Sequence, residues 1–109
     1  MSEKIPKRAE DVKLIVFACE AGMGSSLMGA NQLKKLVKKA NLDVQVIHAP
    51  VHQIPPDTDV IVTHKGLARR AREQAPGAAV VPFTMFFNDP AVLGVVERLA
   101  AGDEIISSL

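Results

Sequence analysis

Apolar residues along this chain fall into short, nearly continuous runs and longer stretches with helical spacing. Residues 12–18 read VKLIVFA, apolar throughout except for Lys13. That is the pattern of a strand covered on both faces of a parallel sheet. A glycine-bearing turn, CEAGMGSS, follows. It leads into a helix expected from Ser25 or Ser26 to Ala40, with Leu27, Ala30, Leu33, Val37 and Ala40 on one face. Lys34, Lys35, Lys38 and Lys39 occupy its last turns, where cations complement the helix dipole, and Asn41 suits its C-terminal cap. Residues 44–47 form a second strand, and the alternation from Asp43 to Val46 points to a sheet edge. Residues 49–58 carry Pro50, Pro55 and Pro56 and read as a loop with room for one helical turn. DVIVT, residues 59–63, is a third, buried strand. Residues 66–75 form a short helix with Leu67, Ala71 and Ala75 on one face, stopped by Pro76-Gly77. Residues 78–82 are a fourth strand. Asn88 or Asp89 caps a last helix with Pro90 in its first turn. Its inward positions are Val92, Val95, Val96 and Leu99, and Gly102 ends it.

The predicted order is β-α-β-β-α-β-α, an α/β three-layer sandwich with a parallel sheet between helices on both faces. The first and third strands are the most continuously apolar and belong in the centre. Right-handed crossovers then give a four-stranded parallel sheet of order 2-1-3-4. The chain turns one way from the first strand and the other way from the third. The switch point between their carboxyl ends is where open sheets of this kind bind ligands. Cys19 lies there.

A chain of 109 residues is short enough to expect one domain. Residues 1–11, charged and with little to bury, read as a flexible tail or linker, and residues 12–109 as a single domain. With 48% hydrophobic and 23% charged residues, the composition is globular rather than disordered. A net charge of +1 and the absence of Trp and Tyr argue against a nucleic-acid partner. The single cysteine excludes an internal disulfide and a four-cysteine zinc site, and suits a reducing compartment. No run reaches the roughly 18 apolar residues that a membrane span needs, and residues 1–13 lack an apolar signal core. A cytoplasmic protein is expected, monomeric as an isolated domain. No metal and no cofactor are expected.

The chemistry concentrates in residues 19–26. Gly22 and Gly24 permit positive φ and close backbone approach. Successive N–H groups can then form an anion nest, reinforced by the dipole of the following helix. Ser25 and Ser26 can cap the helix or donate to a bound oxyanion. The same donors favour a thiolate at Cys19, and a thiolate over an anion cradle suits covalent phosphoryl chemistry. The loop is neither a Walker motif, since no Lys follows the glycines, nor a Rossmann fingerprint, whose third Gly would fall at Leu27. A lone cysteine at a strand end can also be a small buried hydrophobe.

ACEAGMGSSLMGANQLKK, residues 18–35, resembles the phosphorylation loop and first helix of the mannitol-type enzyme IIB domains of the bacterial phosphotransferase system. IPPDTDVIVTHKGLARRA, residues 54–71, resembles the third strand and second helix of that family. The resemblance runs from about Val12 to Ala101. It implies that Cys19 accepts a phosphoryl group from a phosphohistidine of enzyme IIA. Cys19 then passes it to a hexitol, mannitol in the first instance, held in a membrane enzyme IIC at whose inner face the domain docks. Glu20, Ala21, Gly22, Met23, Gly24, Ser25 and Ser26 carry over as the phosphate-binding loop. Glu20 departs from the Asp expected there, and Leu27 replaces a smaller residue. Low-molecular-weight tyrosine phosphatases carry a C-x5-R loop on a related architecture. Here the sixth residue after Cys19 is Ser25. Without an arginine clamp on the transition state, negligible phosphatase activity is expected. The alternatives are a regulatory module sensing sugar flux through Cys19 phosphorylation, and a thiol redox or arsenate-reductase-like enzyme, which lacks a resolving thiol in this chain. The absence of appended DNA-binding helices favours the transport carrier, standalone or part of a longer permease.

Thr63 and His64 end the third strand beside the switch point and are possible auxiliary groups for the phosphate. His48 and His52 lie on the side of the second strand, without metal-ligand spacing to Cys19. The run of Lys34, Lys35, Lys38 and Lys39 and that of Lys65, Arg69, Arg70 and Arg72 read as solvated helix faces. Met23 can serve as an adaptable contact for successive docking partners or fold back as packing. PFTMFF, residues 82–87, is expected to cap the core, with a partner-binding rim as the alternative.

Overall fold

The computed structural model describes residues 6–20, 25–85 and 88–107. In chain order the main elements are β1 (Pro6–Lys7), β2 (Leu14–Cys19), α1 (Ser25–Lys39), β3 (Gln45–Pro50), β4 (Val60–His64), α2 (Ala68–Gln74), β5 (Ala79–Phe83), α3 (Pro90–Ala101) and β6 (Ile105–Ile106). The four longer strands form an all-parallel sheet of order β3-β2-β4-β5. Counting those four alone, this is the expected order 2-1-3-4.

Strand alternation sorts the side chains into two faces. Ile15, Phe17, Val46, Val60, Val62, Ala79, Val81 and Phe83 pack with Ala30, Leu33 and Val37 of α1 and Val92, Val95, Val96 and Leu99 of α3. On the opposite face Val16, Ala18, Ala49, Ile61 and Val80 pack with Ala68, Ala71 and Ala75 of the α2 segment. Two helices cover one face and one covers the other, as right-handed crossovers on either side of β2 require. Leu27 departs from the expected α1 stripe. It is 47% exposed, and Met28 beside it 60%.

Two segments differ from expectation. β3 runs on through Ala49 and Pro50, which were expected to belong to the following loop. Among the described residues this outer strand pairs with β2 alone, so proline's missing N–H is tolerated there. One helical turn then follows as a 3-10 turn at Val51–Gln53. At the amino end, residues 6–11 are not free tail. Pro6 and Lys7 pair antiparallel with Ile106 and Ile105, and Ala9–Asp11 form a 3-10 turn. The physical reason lies in Asp59. Its carboxylate accepts the N–H groups of Lys13 and Leu14 at 2.9 and 3.0 Å and stands 3.8 Å from the Lys7 ammonium. Ala9 packs on the core, and Val12 is buried. The carboxyl end is held as well, because the buried Ser107 hydroxyl accepts the Val80 N–H at 3.0 Å.

The helix ends follow their caps. Asp89 caps α3 by accepting the Ala91 N–H at 2.8 Å, and Gly102 closes the helix at φ 79°, a left-handed conformation that glycine adopts without steric cost. Asn41, after α1, has φ 56°, as its capping role requires.

Candidate functional site

The inner strand β2 ends at Cys19, and α1 begins at Ser25. The sulfur therefore sits at the carboxyl edge of the sheet, between β3 and β4. Cys19 is a free cysteine, 5% exposed. Of the expected phosphate-binding loop, Ala21, Gly22, Met23 and Gly24 lie outside the described residues, as do the side chains of Ser25 and Ser26.

Glu20 is exposed, and its carboxylate lies 3.5 Å from Arg70 Nη1 on α2. It is thus turned toward the face that α2 covers. An exposed pair of this kind contributes little stability, but it places a guanidinium from the second basic run one residue from Cys19.

Thr63 and His64 fall on opposite faces, as neighbours on a strand must. Thr63 is fully buried and donates its hydroxyl to the Ala18 carbonyl at 3.0 Å. His64 is half-buried and accepts the Gly66 N–H on Nδ1 at 3.1 Å. Its ring meets Phe83 edge-on, with centroids 6.0 Å apart.

A residue without an assigned role in the sequence reading is in hydrogen-bond contact with the sulfur. His48 Nε2 is 3.1 Å from Cys19 Sγ. The parallel register sets His48 opposite Phe17, two residues before Cys19. Val46 and Phe17 both belong to the α1/α3 face, so alternation carries His48 and Cys19 onto that face too. The signal in the sequence was this shared parity; it becomes usable only once the β2/β3 register is known. His52, by contrast, is exposed in the following 3-10 turn.

The apolar segment after β5 divides. Pro82 is half-buried, Phe83 is buried, and Met85 is 51% exposed; Phe86 and Phe87 lie outside the described residues. The Asp89 carboxylate holds this turn, accepting the N–H groups of Thr84 and Met85, each at 3.0 Å, and the Thr84 hydroxyl at 3.2 Å. Burial alone would raise the Asp89 pKa. The hydrogen bonds from Met85, Thr84 and Ala91 outweigh it and hold the pKa below the usual aspartate value. Across the edge, Gln32 of α1 donates to Asn88 Oδ1 at 2.6 Å and accepts the Asn88 N–H at 3.0 Å. Among the described residues no helix is long and apolar enough to cross a membrane.

The chain is thus a doubly wound α/β protein with a cysteine at the carboxyl end of an inner strand, the edge at which such sheets bind ligands. Comparison with known proteins narrows the class. Residues 14–97 match the family described as "PTS system, Lactose/Cellobiose specific IIB subunit". The chain is 43% identical over 90 residues to the "PTS system mannitol-specific EIICB component" of Bacillus subtilis (strain 168), covering 83% of this chain and 19% of that protein. It is 40% identical over 91 residues to the "PTS system mannitol-specific EIICBA component" of Escherichia coli (strain K12), covering 83% of this chain and 14% of that protein. This chain belongs to the IIB family of the sugar phosphotransferase system. It spans about a fifth or less of the length of these curated relatives.

Proposed function

We propose that this chain is a phosphoryl-carrier domain of mannitol type, with the strand at Pro6–Lys7 as part of the carrier fold. Cys19 takes a phosphoryl group from a phosphohistidine of enzyme IIA and donates it to a hexitol held by a membrane enzyme IIC. The observation that carries the reading is the place of Cys19. It is the sole thiol, it ends the inner strand at the switch point, and it lies within the family match. A helix follows it closely, and helix N-termini attract anionic groups. Residues 20–26 are the phosphate-binding loop in this reading, with His64 as an auxiliary group at the edge of the site; Thr63, buried and donating to the Ala18 carbonyl, supports the backbone and does not reach the phosphate.

The names of the relatives support the partners and the sugar. The Bacillus subtilis protein is called an EIICB component and the Escherichia coli protein an EIICBA component, both mannitol-specific. On this reading the domain works at the inner face of the membrane, docked to or continuous with IIC. Exposed Leu27, Met28 and Met85 give that edge an apolar rim for successive partners.

The test of onward transfer uses membranes that contain a mannitol-type IIC but lack a IIB. Adding this protein with its phosphoryl donors should restore formation of mannitol phosphate, and Cys19→Ser should not. Restoration only in parallel membranes that contain a lactose- or cellobiose-type IIC would keep the carrier chemistry and replace the sugar.

A further inference from the structure

We propose that His48 accepts the Cys19 thiol proton and holds it for as long as Cys19 carries the phosphoryl group. This rests on Cys19 as the phosphoryl acceptor and adds the base that the transfer needs. His48 Nε2 lies 3.1 Å from Sγ, so the two share a hydrogen bond without further movement. When Sγ–H donates to Nε2, the ring hydrogen of the neutral imidazole sits on Nδ1. Phe17 flanks the histidine ring, with centroids 6.5 Å apart at a tilt of 32°. At 5% exposure the thiol is poorly placed to lose its proton to bulk water, and the imidazole is the base already in contact.

The step balances. The Sγ–P bond forms as the N–P bond of the donor phosphohistidine breaks. That bond's electron pair returns to the donor ring nitrogen. With its other nitrogen protonated, the donor leaves as a neutral imidazole. The thiol proton passes to His48 Nε2. The resulting imidazolium faces the phosphocysteine dianion, and the attraction is strong where water is scarce. In the return step the sugar hydroxyl oxygen attacks phosphorus and gives its proton to a base of the sugar-holding partner. The S–P electron pair returns to sulfur, and His48 gives back the stored proton. The imidazole thus serves as base for charging and as acid for discharge.

The test compares wild type with His48→Gln and His48→Asn, whose amides can still hydrogen-bond the thiol but cannot store its proton. Two rates are read on each folded protein: alkylation of Cys19 by iodoacetamide without any partner, and phosphorylation by a working enzyme IIA. Circular dichroism and the unfolding midpoint show which variants are folded, and either one suffices. Alkylation should slow by about 10-fold and phosphorylation by about 100-fold. Wild-type phosphorylation rates in a folded variant would overturn the role of His48 and leave Cys19 as acceptor. Slower phosphorylation with unchanged alkylation would overturn it too, because the histidine would then be serving partner docking. No phosphorylation of wild type by a donor proven on another IIB would remove the carrier reading itself.

Discussion

Thr63 donates its hydroxyl to the Ala18 carbonyl at 3.0 Å, which ties the residue before Cys19 to β4. Both groups are buried, and Ala18 and Thr63 are ladder partners in the parallel register. The bond ties the end of the β2 strand, just before the sulfur, to β4. A buried hydrogen bond of this kind contributes about 1 kcal/mol. Thr63→Val keeps the shape and removes the donor, so it should lower unfolding free energy by about that amount. Urea denaturation reads the change. An unchanged midpoint would show that the bond does not hold this edge.

Asp89 gives the fold an acid-sensitive latch. Its pKa is lowered from 3.8 by the hydrogen bonds that it accepts. A depressed carboxyl stabilises the native state above its unfolded value and loses that contribution as pH falls through the folded value. Asp89→Ala removes the α3 cap and the anchor of the Thr84–Met85 turn, and should cost about 2 kcal/mol at neutral pH. The gap between wild type and variant should narrow below pH 3.8. Denaturation curves across that range check it; a gap that widens toward acid would contradict the assignment.

Gln32 and Asn88 join α1 to the turn before α3 through a reciprocal pair of hydrogen bonds. Asn88 has φ 57°, so Asn88→Gly keeps the backbone relaxed while removing the side-chain acceptor. A double-mutant cycle with Gln32→Ala should give a coupling of about 0.5–1 kcal/mol. Zero coupling would mean that solvent replaces the pair at no cost.

Much of the fold was legible because its strands are buried on both faces. VKLIVFA and DVIVT could only be inner strands, and that placed Cys19 at the switch point before any coordinates. The α3 cap and Gly102 were equally plain, since their residue types serve few other purposes. Three features were hidden. The Pro6–Lys7 pairing depends on Ile105–Ile106, a contact across nearly the whole chain that no local pattern announces. Leu27 fits the helical stripe yet is 47% exposed, which spacing along the helix does not reveal. His48 looked like a histidine on an edge strand, because its meeting with Cys19 is set by register, and spacing along the chain does not encode register.

The loop sequence also separates this chain from phosphatases that carry a C-x5-R loop. Ser25 stands where those enzymes carry the arginine of C-x5-R. Without that clamp the phosphocysteine should persist for transfer. Turnover of an aryl phosphate by the purified protein should stay at the level of Cys19→Ser. Turnover that requires Cys19 would place the protein among hydrolases.

The central claim is that Cys19 is the phosphoryl acceptor. Its most direct test is intact mass after incubation with phosphoenolpyruvate, enzyme I, the histidine phosphocarrier protein and a mannitol-type enzyme IIA. Wild type should gain one phosphoryl group, mapped to Cys19, and Cys19→Ser should gain none. A donor chain that charges another IIB but leaves this one unmodified, or that modifies Cys19→Ser equally, would contradict the account.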